Sequence, residues 1–302
     1  MPRSRIPKAD ASLQLRMLVT MLLLTALYLV FTFVLFKVTH FGLVLFLIPI
    51  VGLVVQYYYS DKMVLAASGA RIVSREQAPE IYGMIERLAQ AAALPTPKVA
   101  IIDSAMPNAF ATGRSPKHAV VAVTTGLIQK LPPQEVEAVL AHEMTHIRHR
   151  DMTIMTMASS FAAVAAFITS WGLWFGIGMG GSDERDNNGG NAFIVILLAA
   201  LAVQVISHFL ILALSRYREY AADRGGAILT GAPEQLASAL LRISGSMQSI
   251  PSKDLRAAQP LSAMYFAAPT REFIGELLMD HPSIEHRLAR LQSIERQMAG
   301  AQ

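Results

Sequence analysis

Four runs without a charged residue constrain this chain more than any other feature: residues 17–36, 41–59, 152–179 and 192–214. They hold 20, 19, 28 and 23 residues, and about 20 apolar residues in an α-helix cross the roughly 30 Å hydrocarbon layer of a bilayer. The composition agrees, with 53% hydrophobic and only 16% charged residues, the apolar ones gathered in blocks. The first run could instead be the core of a secretory signal peptide. It is too long for one, and Lys37-Val38-Thr39-His40 follows it rather than a small-residue cleavage site, so an uncleaved span is the expectation. Only a short link separates the first two runs, which predicts a tight hairpin. Tyr57, Tyr58 and Tyr59 close the second where a membrane–water interface suits them.

Charge sets the expected orientation. Arg3, Arg5, Lys8 and Arg16 precede the first run, Arg148 and Arg150 precede the third, and Arg216 and Arg218 follow the fourth. The link between the last two runs carries Asp183, Glu184 and Asp186 against Arg185. Basic flanks mark the cytoplasmic side, so both termini and the polar segments are expected there, with the acidic link outside. The formal charge of +4 includes no basic tract interleaved with aromatics, so nothing argues for a nucleic-acid partner and none is expected. There is no cysteine, hence no disulfide, thiolate metal site or cysteine nucleophile.

Between the hydrophobic hairpins the pattern becomes that of a water-soluble domain. Ser74-Arg75-Glu76-Gln77 reads as a capping box opening a helix, with Ile81, Met84, Ile85 and Leu88 on its apolar stripe. Strand-like pieces follow at 98–103, 108–112 and 118–124, divided by Pro- and Gly-containing turns. A helix is expected over 133–150, and more helices over 234–244 and 282–297, with 251–269 irregular. The expected organisation is a tail and first hairpin (1–62), a soluble region (63–151), a second hairpin (152–215) and a soluble helical region (216–302). The fold class is α+β, an integral membrane protein, mainly helical, with four transmembrane helices and a small β-sheet.

The 133–150 helix contains His142-Glu143-Met144-Thr145-His146, an H-E-x-x-H pattern. Histidines at i and i+4 leave one face of a helix and can converge on a metal ion, with the glutamate beside them as general base. Zinc suits imidazole nitrogens, and a catalytic zinc takes three protein ligands plus an open position. Val139, Leu140, Met144 and Ile147 line the apolar side of this helix, and Glu143 falls among them. A carboxylate on a burying face costs free energy unless something there requires it.

The third ligand has to come from elsewhere. His149 lies about 10 Å along the axis from His142, too far to share one ion. Asp151 is further still on the same helix, and no acid occurs from 152 to 182. The acids of the link lie on the wrong side by the charge argument. Glu219 and Asp223 remain; Glu219 follows the fourth run by roughly 8 Å of helix, while His146 precedes the third by roughly 9 Å. If the two spans are antiparallel neighbours, Glu219 and His146 stand at one height. Asp223, one turn on, could accept an N–H from a ligand imidazole or form a surface ion pair with Arg218 or Arg224.

His142–His146 followed by Ser215-Arg216-Tyr217-Arg218-Glu219-Tyr220-Ala221-Ala222-Asp223 closely resembles the HtpX family of membrane zinc proteases, relatives of the CaaX prenyl and mitochondrial Oma-type proteases. The resemblance runs over nearly the whole chain. It implies a zinc-dependent endopeptidase of the bacterial cytoplasmic (inner) membrane, cutting misfolded or damaged membrane proteins in quality control and stress response. One Zn²⁺ per chain on His142, His146 and Glu219 would activate water and polarise the scissile carbonyl, with Glu143 moving the proton. The implied partners are unfolded or membrane-protein polypeptides and the lipid bilayer, and a homo-oligomer is compatible with the sequence. Asn108, Ala109 and Phe110 resemble that family's edge strand, where substrate adds as a further strand; an ordinary core strand is the other reading. His281 and Arg287 resemble a C-terminal segment that stabilises the oxyanion or holds the glutamate ligand, against a plain helix start and a solvated arginine. A CaaX-type prenyl protease and a non-catalytic zinc-bound membrane scaffold are the alternatives. His208 reads as an interhelical hydrogen-bond donor.

Overall fold

A computed structural model of the chain describes residues 11–38, 42–159, 163, 166, 167, 170, 187–248 and 282–300. In chain order the elements are α1 (Ala11–Val38), α2 (Gly42–Ser68), β1 (Arg71–Ile72), α3 (Pro79–Ala92), β2 (Lys98–Ile102), β3 (Ala109–Thr112), β4 (Val120–Thr124), α4 (Thr125–Lys130), α5 (Pro133–His149), α6 (Asn187–Thr230), α7 (Pro233–Gln248) and α8 (Ile284–Ala299). The chain forms two compact units. One comprises Met1–Gln14, Tyr58–Thr153 and Ser215–Gln302; the other comprises Leu15–Tyr57 and Ile154–Leu214.

Among the described residues, two stretches are long and apolar enough to cross a membrane. They are Ala11–Val34, of mean hydropathy 2.4, and Ile194–Thr230, of mean hydropathy 2.6. Only 17% of each most apolar window is buried, which sets these helices apart from the core helices of a soluble protein. Leu22, Leu23, Val30 and Phe33 on one, and Leu198, Leu201, Val205 and Phe209 on the other, are exposed, as side chains facing lipid would be. Thr20 and Thr25 donate to the carbonyls of Arg16 at 2.8 Å and Met21 at 2.9 Å, so their hydroxyls need no water. Phe31 packs with Ala200 and Val203, and Leu24 with Ala158 and Leu214; small residues opposite large ones let the backbones approach. The second hydrophobic run lies on the 27-residue helix α2. Much of the third, residues 160–162, 164, 165, 168, 169 and 171–179, lies outside the described residues, as do 251–269 and His281. Among the described residues the architecture is mainly helical, with a small mixed sheet and two candidate membrane spans.

The first unit is built on a four-stranded sheet of order β1-β2-β4-β3. β2 and β4 are parallel, and β1 and β3 are antiparallel to their neighbours. Period-two alternation divides its residues cleanly. Val99, Ala109, Ala111, Val121 and Val123 face the main core with α3, α5, α7 and α8, whereas Ala100, Ile102, Phe110, Val120 and Ala122 face a smaller cluster closed by Val64, Leu65 and Ala70. The two-residue β1 carries no alternation, so the sequence pattern did not reveal it. The capping box at Ser74 is half formed: its N–H donates to Gln77 Oε1 at 2.8 Å. The helix nonetheless starts later, at Pro79, whose missing N–H and fixed φ suit a first helical turn.

α5 is buried on all sides from Val136 to Ile147 apart from a half-buried Glu137. Its N-terminus is tied to α7, where Ser238 Oγ and Arg242 Nε donate to the buried Glu135 Oε1 at 2.6 and 2.9 Å. Its C-terminus ends on Arg150 in the left-handed region, φ 56°, whose N–H bonds back to the last turn. The last part of α6 crosses α5 through Gly225 and Gly226. A Cβ on Gly225 would overlap the Thr145 side chain, and one on Gly226 would lie 3.0 Å from the His142 backbone nitrogen. These glycines let the two helices that carry the site approach within backbone distance. Thr145 is buried and donates to the Ala141 carbonyl, so it cannot swing aside. Gly225→Val is therefore expected to destabilise the chain by about 1–3 kcal/mol through overpacking, read as a lower thermal unfolding midpoint in detergent.

Candidate metal centre

His142, Glu143 and His146 project from α5 and are only 1%, 5% and 8% exposed. The two Nε2 atoms face each other at 3.0 Å. Glu219, on α6, aims one carboxylate oxygen at each: Oε2 is 3.5 Å from His142 Nε2 and Oε1 is 3.5 Å from His146 Nε2. A tetrahedron of nitrogen and oxygen ligands at about 2.0–2.1 Å has edges of about 3.3–3.4 Å. The observed separations bracket that value.

The other face of each ring fixes its chemistry. His142 Nδ1 lies 3.0 Å from Asp223 Oδ1, and His146 Nδ1 lies 2.6 Å from Asp151 Oδ2. A carboxylate against each Nδ1 favours the ring proton on that side, which leaves each Nε2 to present a lone pair. Two lone pairs and a carboxylate then converge on one buried point, an arrangement that a cation satisfies. The donor set therefore fits a zinc ion. Burial disfavours charge on His142, but Asp223 and Glu219 outweigh it and raise its pKa to about 9.

The profile of peptidase family M48 matches residues 75–295 of this sequence. The chain belongs to peptidase family M48. It is 53% identical to the "Protease HtpX homolog" of Moorella thermoacetica over 293 residues, covering 96% of this chain and 97% of that one. It is 49% identical to "Protease HtpX homolog 2" of Methanosarcina acetivorans over 296 residues, 96% and 98% of the two chains. Among solved structures, Ste24p of S. mikatae superposes with a TM-score of 0.56 at 19% identity, over 94% of this chain and 68% of that one, a likeness of fold. As an M48 peptidase of this kind, the protein is a membrane metalloprotease.

Further residues surround the His142–His146–Glu219 cluster. Arg287, 1% exposed, donates from Nε to Asp223 Oδ2 at 2.9 Å and from Nη2 to Oδ1 at 2.6 Å, and its Nη1 stands 3.7 Å from Glu219 Oε2. It is neither solvated nor aimed away from the acids. Burial would raise the Asp223 carboxyl, but the Arg287 guanidinium and His142 hold it below the usual range. Asp223 thus pairs with Arg287 and His142, not with Arg218 or Arg224 as the ion-pair reading had it. Glu143 accepts the Ala111 N–H at 2.9 Å. Burial pushes its carboxyl above the usual range against the pull of His146 and His142.

That last bond orients the sheet edge. β3 is the outer strand beside β4, and in an antiparallel pair alternate residues point their backbone groups to opposite sides. Ala111 points away from β4 toward Glu143, so Ala109 also points away. Asn108 spends its N–H and C=O on Thr124, and Phe110 buries its ring in the smaller cluster. Of the three residues expected at this edge, only Ala109 presents its backbone on the free side.

Sequence reasoning missed Asp151, which helix extrapolation placed more than two turns from His142. The left-handed Arg150 breaks that extrapolation and folds Asp151 back under His146. Arg218, read as a topological charge and as a surface partner of Asp223, instead lies 3.3 Å from Asp151 Oδ2 through its Nε. A basic residue immediately before Glu219 was the available signal, since a second acid near the centre needs a countercharge.

Proposed function

We propose that this protein is a zinc-dependent endopeptidase, with four transmembrane helices in a cytoplasmic membrane, that cleaves misfolded or damaged membrane polypeptides. The observation that carries the reading is the convergence of His142 Nε2, His146 Nε2 and both Glu219 oxygens on one buried point. Bound there, zinc would supply a Lewis acid that polarises a scissile carbonyl and acidifies water. Glu143 is the general base: it takes the proton of the attacking water and returns it to the leaving amine nitrogen as the C–N bond breaks. Glu143 also lies within 4.8 Å of the histidine nitrogens, yet Glu219 is the third ligand. Both Glu219 oxygens face the Nε2 pair, while one Glu143 oxygen is held by Ala111. Asp223 and Arg287 orient His142 and Glu219.

A substrate in extended form would pair along β3 at Ala109, next to the base. The Ala111 N–H meanwhile keeps Glu143 aimed at the reacting carbonyl. Main-chain pairing of this kind reads backbone rather than side chains, which suits unfolded polypeptides. Basic flanks at Arg16, Arg148, Arg150, Arg216 and Arg218 support a cytoplasmic site. The test is metal analysis and proteolysis by the detergent-purified chain. Wild type is expected to retain one zinc, and Glu219→Ala to lose most of it; full zinc occupancy in Glu219→Ala would remove Glu219 from the ligand set.

A further inference from the structure

We infer that Asp151, ion-paired with Arg218, is the positioning residue for His146. The two ring histidines have matching supports: His142 rests on Asp223 and Arg287, and His146 rests on Asp151 and Arg218. Asp151 is fully buried. Its Oδ2 stands 2.6 Å from His146 Nδ1 and 3.3 Å from Arg218 Nε, so one oxygen fixes the imidazole and meets its countercharge. Three features of the chain create this. α5 stops at His149, Arg150 takes the left-handed turn, and residues 151–159 start again as helix. Asp151 is thereby carried under the ring it would otherwise have left behind.

Arg218 ties the arrangement to α6. It is the neighbour of Glu219, so one helical turn brings both the carboxylate that faces the two Nε2 atoms and the guanidinium that holds the support of His146. Removing the Asp151 carboxylate frees the ring to rotate and to exchange tautomers, which lowers the basicity and the preorganisation of Nε2. An ion pair that merely closed a helix end would do neither.

This inference rests on His146 being a metal ligand, and the experiment separates the two claims. Zinc affinity is measured by chelator competition on the full chain in detergent for wild type, Asp151→Asn and Asp151→Ala, beside the thermal midpoint of each metal-free form. Affinity is expected to fall in the order wild type, Asn, Ala, reaching about 10- to 100-fold loss in Asp151→Ala. The asparagine variant is nearly isosteric and decides the question if the alanine variant fails to fold. Binding within about twofold of wild type by folded variants, with only the midpoint lowered, overturns the positioning role and leaves a structural ion pair. A wild-type chain that retains no zinc overturns the metal reading itself, and this inference with it.

Discussion

Glu143→Gln is expected to keep the fold and the metal and to lower peptide hydrolysis by roughly 100- to 10,000-fold, the span a positioned general acid–base contributes. The amide has the shape of the carboxyl, and its oxygen can still accept the Ala111 N–H, which bonds Glu143 Oε2 at 2.9 Å. It cannot take a proton from water. Alanine would be a poorer probe, because it would leave that buried N–H unpaired and mix a stability cost into the rate. The check is turnover of an unfolded polypeptide with zinc content measured on the same sample. Wild-type turnover by a zinc-loaded Glu143→Gln chain would end its assignment as the base.

The largest stability effect is expected at Arg287. Its guanidinium faces Asp223, which is fully buried, and Glu219, which is 4% exposed. Arg287→Ala leaves those charges without their cation, and breaking one side of a buried pair costs about 3–5 kcal/mol. His142 remains as a partner of Asp223 and limits the loss to the lower part of that range. The thermal midpoint in detergent reads it. A loss no larger than the about 0.5 kcal/mol of an ordinary surface change would mean that Arg287 does not support the buried acids. Restoring neutrality in Arg287→Met with Asp223→Asn is expected to recover part of the midpoint, since the second change removes the buried Asp223 charge that loss of Arg287 leaves unpaired.

The two halves of the centre differ in how legible they were. His142, Glu143 and His146 lie within one helical turn, where the geometry follows from residue spacing alone. Glu219 required a second step, from the absence of acids over 152–182 and the charge asymmetry of the hydrophobic runs. Asp223 was readable as a neighbour one turn along the same helix, but its partner was not. The local pattern offered Arg218 and Arg224, and the fold supplied Arg287 from 64 residues away. The edge strand was similar. Its position followed from turn chemistry, yet which residues face outward depended on register. That register is set by pairing with β4, and it turns Asn108 inward and leaves Ala109 on the free edge.

What the sequence alone determined were properties carried by contiguous residues. These are the uncharged runs, the helical placement of the histidine pair and its base, the strands around 98–124, and the need for a distant carboxylate. Period and spacing express these directly, because backbone geometry repeats at short range. What only the tertiary structure decided were the contacts made where that repetition stops. A single left-handed residue, Arg150, brings Asp151 from a position more than two helical turns past His142 to the ring of His146. Gly225 and Gly226 matter only because another helix passes within backbone distance of them. Both effects arise from interrupted or crossing helices, and a residue spacing carries no record of where a helix ends or what it meets.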